Sequence, residues 1–130
     1  IGLLATLAVV ALNNARAKSR DAKRVSDVRQ VQTALELYFS DNDTYPAGSG
    51  VTLGSGSQAV LCNVGWEDVV GDCTGDVFMP AVPANPTPGG ADYSYTLGAG
   101  GGDYTITFSL ESGTGGLGSG AHTASSSGIQ

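Results

Sequence analysis

Ile1-Gly2-Leu3-Leu4-Ala5-Thr6-Leu7-Ala8-Val9-Val10-Ala11-Leu12 opens the chain, and the fate of this run decides the architecture. It carries no charge, and as a helix it measures roughly 18 Å. A bilayer core takes about 20 apolar residues, so the run alone is too short to span one. A secretory signal is a second reading, and Ala15-Arg16-Ala17 imitates a cleavage site. The order is wrong for a signal, however, because the bases follow the apolar run instead of preceding it. In an ordinary membrane protein those bases would be held on the cytoplasmic side.

Outward from this run, Ala22, Val25, Val28, Val31 or Gln32, Leu35 and Tyr38 or Phe39 recur at steps of three and four. That spacing writes one apolar stripe along a helix. No proline occurs before Pro46 and no glycine between Leu3 and Ala47. One helix over residues 3–39 is expected, roughly 55 Å long. Ser40-Asp41-Asn42-Asp43-Thr44-Tyr45-Pro46 stops it with turn formers and a proline. Its first third is apolar all round and must be buried, whereas its last third needs only one partner, the chain's own sheet.

Charge divides the chain at the same place. All six bases (Arg16, Lys18, Arg20, Lys23, Arg24 and Arg29) precede Gln30, and residues 30–130 hold ten acids and no Lys or Arg. The first 29 residues carry +4 and the rest −10, which sums to the overall −6. An acidic head argues against non-specific nucleic-acid binding, although the basic stem offers the one phosphate-attracting surface. It also suits self-assembly, with one copy's head facing another's stem. Arg16, Lys18, Arg20, Lys23 and Arg24 are therefore the expected inter-subunit charges.

Nineteen of the 20 glycines lie between Gly48 and Gly128, so the head is expected to be rich in turns and to need an extra tie. Cys62 and Cys73 supply it if bridged; two buried free thiols are the other reading. No CxxC spacing or Cys/His cluster favours zinc. A bridge would point to an oxidising, extracytoplasmic location. Pro80, Pro83, Pro86 and Pro88 with Gly89-Gly90 read as an extended connector. Residues 93–97 and 104–111 alternate at period two and predict an antiparallel hairpin. Tyr104, Ile106, Phe108 and Leu110 are expected to face the helix residues Val25, Val28, Val31, Leu35, Tyr38 and Phe39, as are Tyr93, Tyr95 and Leu97. A Gly/Ser-rich tail, residues 112–130, completes the chain. The division expected is a stem over 1–24 and a head over 25–130, the head taking the helix half 25–40, Cys loop 62–73, connector 80–90, hairpin 93–111 and tail.

Catalytic and metal chemistry find little support. Gly100-Gly101-Gly102 lacks the Lys and helix of a phosphate loop. Asp41-Asn42-Asp43 starts like a calcium loop, but Pro46 stands where the glycine belongs and Thr52 where the bidentate Glu belongs. Asp92, Asp103 and Glu111, the late carboxylates, are poorly spaced for calcium. The acids around the Cys ring read as a solvated loop, and the lone His122 as a surface residue. No enzyme and no cofactor are expected.

Residues 1–13, 15–24 (Ala15-Arg16-Ala17-Lys18-Ser19-Arg20-Asp21-Ala22-Lys23-Arg24) and Gln32-Thr33-Ala34-Leu35-Glu36-Leu37-Tyr38 closely resemble type IV pilins and the pseudopilins of type II secretion. The exit through Tyr45-Pro46 is also similar. The match covers residues 1 to about 46. The leader, the prepilin cleavage site, the methylated first residue and the early glutamate of that family are missing, as is its helix-kinking proline. By the match, roughly a dozen mature residues precede Ile1 in relatives, so the chain is truncated or differently processed. The resemblance implies an α+β ladle, a long helix packed on a small antiparallel sheet. It implies a bacterial surface filament of identical subunits, held in the inner membrane before assembly by a dedicated machinery. Ile1, Leu3, Leu4, Leu7, Val9, Val10 and Leu12 would then form the filament core, hidden by sister molecules. A pseudopilin, or a minor pilin binding DNA or a surface, is the alternative.

Overall fold

The structure, a computed structural model, describes residues 2–130 and is α+β. One helix, α1 (Gly2–Asn42), runs unbroken through apolar run, basic stretch and stripe. It ends where Asp43 turns left-handed at φ 58° while its N–H still reaches the Phe39 carbonyl at 2.8 Å. That geometry is an αL cap, and a short polar side chain tolerates it. The Asn42 amide adds a bond to the Tyr38 carbonyl.

Two antiparallel sheets follow. β1 (Val51–Thr52), β5 (Ser94–Leu97), β6 (Tyr104–Thr114), β7 (Leu117–Ser125) and β8 (Gly128–Ile129) stand side by side in that order. β2 (Val60–Cys62), β3 (Gly65–Glu67) and β4 (Val77–Met79) form a smaller sheet in the order β3-β2-β4. The expected hairpin is β5–β6, pairing Tyr95 with Ile106 and Leu97 with Tyr104. Along β6, Tyr104, Ile106, Phe108 and Leu110 are buried and Thr105 and Thr107 exposed, so the alternation lays one face on α1. Val25, Val28, Val31, Leu35 and Tyr38 meet that face, with Phe39 half-buried at its margin. The result is a ladle: residues 2–16 stand clear as the handle, and everything from Asp21 on belongs to the bowl.

The small sheet reaches the core through two aromatic contacts. Trp66 meets Tyr95 edge-on at 5.1 Å, and Phe78 meets Tyr38 at 6.1 Å. Cys62 and Cys73 are bridged, which ties the loop after β3 back onto β2. Closing a ring of this length adds about 2–3 kcal/mol by chain entropy.

Two expectations need correction. Residues 112–130 are no tail: they finish β6 and form β7 and β8, with Ala124 fully buried opposite Ile106. Backbone ladders supply the pairing that this Gly/Ser composition cannot signal through side chains. The stem also ends earlier than residue 24, because the head grips Arg20, Asp21 and Arg24.

Candidate assembly surface and the ionic clasp beneath it

Leu3, Leu4, Leu7, Val9, Val10 and Leu12 are between 81% and 50% exposed. They ring the free part of α1, and Ile1 lies outside the described residues. Monomeric proteins rarely present so continuous an apolar surface, and such surfaces mark contact sites. No helix among the described residues is long and apolar enough to cross a membrane. Thr6, the one hydroxyl in the run, returns its proton to the Gly2 carbonyl at 3.0 Å, so the handle presents little unmet polarity.

Where handle meets bowl, the structure builds an ionic clasp. The Arg24 side chain is wholly buried, and its five N–H groups reach six acceptors, two of the Nη2 contacts sharing one hydrogen. Its Nε reaches Asn85 Oδ1 at 2.6 Å, its Nη1 reaches Asp21 at 3.0 Å and Glu111 at 2.6 Å, and its Nη2 reaches the carbonyls of Pro86, Pro88 and Gly89. Asp21, equally buried, accepts the N–H groups of Glu111, Ser112 and Gly113 at 2.8–2.9 Å. Arg20 forks onto Glu111 at 2.7 and 2.8 Å. Helix, proline connector and the far end of β6 are thus locked together by charge-assisted bonds. The connector must come very close to do this. A Cβ on Gly89 would sit 2.6 Å from a Glu111 oxygen, and one on Gly90 would sit 2.8 Å from Arg24 Nε. Both glycines have φ near +70 to +80°, where side chains are strained.

The reading of Arg20, Lys23 and Arg24 as inter-subunit charges is therefore corrected. All three are satisfied within the chain, Lys23 by Asp27 at 2.8 Å. Asp27 also accepts the Tyr93 hydroxyl at 3.0 Å. Arg16 at the end of the handle and Lys18 just beyond it remain exposed, free of any ion pair among the described residues. The late carboxylates are committed too. Asp103 holds the Tyr104 amide and Ser126, and Glu111 holds the two arginines. Among the described residues no group of three His, Cys, Asp or Glu is placed to hold a metal. His122 is half-buried in β7 with its ring 5.7 Å from that of Phe108, between the Gly118 and Gln130 carbonyls.

The clasp shapes the acid limb of stability. Hydrogen bonds and charge from Arg20 and then Arg24 pull the Glu111 carboxyl from 4.5 down to about 2. Burial alone would raise Asp21, but three amides and Arg24 outweigh it, and its carboxyl also lies low. Depressed carboxyls stabilise the fold above their ordinary range and lose that contribution as they protonate. The melting temperature is thus expected to hold above pH 4.5 and to fall steadily from there toward pH 2. Calorimetric melts of Glu111→Gln should start lower at pH 6 and show a flatter acid limb. Parallel curves for variant and parent would exclude Glu111 as a source of the slope.

No family model, curated protein or solved structure matches this chain.

Proposed function

We propose that this chain is the structural subunit of a helical, type IV pilus-like filament on a bacterial surface. The major-subunit role is the reading favoured. The observation that carries it is the exposed apolar handle continuous with a helix clasped rigidly to its own head. A handle of this kind is stable in water only when covered, and copies of the same chain can cover it repeatedly. Seven large apolar side chains, Ile1 included, offer on the order of 10–20 kcal/mol of gross burial per subunit. The rigid-body cost of association takes up a comparable amount, so many repeated contacts are needed to hold an array. Assembly from the inner membrane by a dedicated machinery belongs to the same reading.

A DNA-binding role draws less support than the bare sequence suggests, since three of the six bases are already neutralised inside the chain. Shearing cells that express the protein and imaging the released material by electron microscopy tests the proposal. Abundant long fibres containing this chain are expected. Short envelope-bound structures would favour a pseudopilin, and discrete particles would defeat the filament reading.

A further inference from the structure

Arg29 is the one base beside the bowl that meets no carboxylate among the described residues. It is exposed on α1 where two hollows join. One of about 420 Å³ lies between the helix and the β6–β7 turn at Thr114 and Gly115. Another of about 370 Å³ lies between the helix and the β7–β8 turn at Ser125–Gly128. Arg29 and Thr33 line both, so the two form one groove along the helix.

Tyr104 lines the floor of the groove with 1% exposure, its hydroxyl buried beside Gln32, whose amide goes to the Ser125 carbonyl at 2.9 Å. Arg29 is the exposed cation of the groove, and a guanidinium there calls for an anionic acceptor whose fork matches it, a carboxylate. Glu36 borders the same hollow, bound by the Tyr45 hydroxyl at 2.7 Å, which steers an incoming carboxylate toward Arg29.

The chain itself carries the complement. Asp68, Asp72 and Asp76 are exposed, lack any ion pair among the described residues, and sit on the loop that the Cys62–Cys73 bridge holds in place. Within the chain the loop makes no ion pair with Arg29: the small sheet that carries it packs on β5 through Trp66 and on α1 through Phe78, whereas the groove runs beside β7 and β8. The loop therefore serves another copy's groove. Two different patches joined head to tail build an open array, whereas a self-complementary patch closes into a dimer.

We infer that the Arg29 groove receives the acidic disulfide loop, residues 68–76, of a neighbouring copy of this chain. The inference rests on the filament reading and adds to it the contact that sets neighbour against neighbour. An Arg29→Lys variant tests it, assembled from equal parts of ¹⁵N-labelled and unlabelled chains. Carbodiimide then condenses an amine with a carboxylate to an amide, losing water, only where the two touch. Mass spectrometry should find mixed-isotope peptides joining position 29 to residues 68–76. Arg29→Glu should cut filament yield at least tenfold with an unchanged head melt, and Asp68→Lys with Asp72→Lys should restore it. Cross-links from position 29 only to other segments, or Arg29→Glu filaments at parental yield, would overturn the inference and leave the filament intact. If the parent chain forms no filaments, both fall together.

Discussion

Replacing Arg24 with methionine is expected to cost the head about 3–5 kcal/mol, the loss typical when one member of a buried ion network is removed. The side chain is 0% exposed and reaches six acceptors, so its removal leaves the Asn85, Pro86 and Pro88 oxygens without that donor and strips Asp21 of its guanidinium partner. Asp21 is the worst affected: a wholly buried carboxylate left with three amides and no directly bonded guanidinium. Small domains have about 5–15 kcal/mol in total, so the variant approaches the edge of folding. In urea the midpoint should fall by about 2 M. Lysine at the same position keeps the charge but cannot fork to acceptors on three segments, so Arg24→Lys should recover less than half of the loss. Retaining Arg24 while changing Arg16→Met, on the exposed handle, should leave the midpoint unmoved. A midpoint for Arg24→Met within 0.5 M of the parent would mean that the clasp contributes nothing net.

How much of this was legible beforehand depends on the range of each interaction. The helix, its stripe and its polar stop are written in steps of three and four, and the structure keeps all three, extending the helix to Asn42. The β5–β6 hairpin is equally local, with alternation on both strands and a Gly-rich turn between them. The clasp depends on partners 61 to 92 positions away, and no window of sequence brings Arg24 near Asn85 or Asp21 near Gly113. A signal was nonetheless present. Asp21 and Arg24 fall in step with Val25, Val28, Val31 and Leu35, inside the stripe that must face the sheet. Charged residues in register with a buried stripe must find partners, and reading Arg20 and Arg24 as inter-subunit charges overlooked that. β7 escaped for the opposite reason: its Gly and Ser residues carry almost no side-chain pattern, and the ladder to β6 forms through the backbone. The small sheet was missed because its strands are three residues each, too short for periodicity to register.

The clasp and the handle are linked mechanically. A helix fixed to its head only by an apolar stripe can slide or roll, since dispersion is non-directional. The five N–H groups of Arg24 on six acceptors, three amides into Asp21 and a fork at Arg20 allow one orientation. Every copy then presents handle, Arg29 groove and acidic loop at the same relative angles. If the chain builds the proposed filament, regular helical growth requires that constancy, because an angular error at one contact repeats at every subunit. On that proposal the clasp bears on function through geometry.

A single glutamate at Leu7 is expected to abolish filaments without touching the fold. Leu7 is 66% exposed on the single chain, and the first buried helix residue, Asp21, lies about 21 Å further along. Urea unfolding of the head should thus stay within about 0.5 kcal/mol of the parent. In an assembled core the same change forfeits about 2 kcal/mol of leucine burial. It also places a carboxylate among apolar neighbours, at several kcal/mol more. Together these raise the concentration needed for assembly on the order of 10³-fold or beyond. Leu7→Ala loses only the burial and should fall between parent and glutamate variant, about tenfold or somewhat more. Sedimentation of filaments against total protein gives the three values in one experiment. Glutamate filaments at parental yield would place the handle outside the core and leave the heads alone to hold the array together.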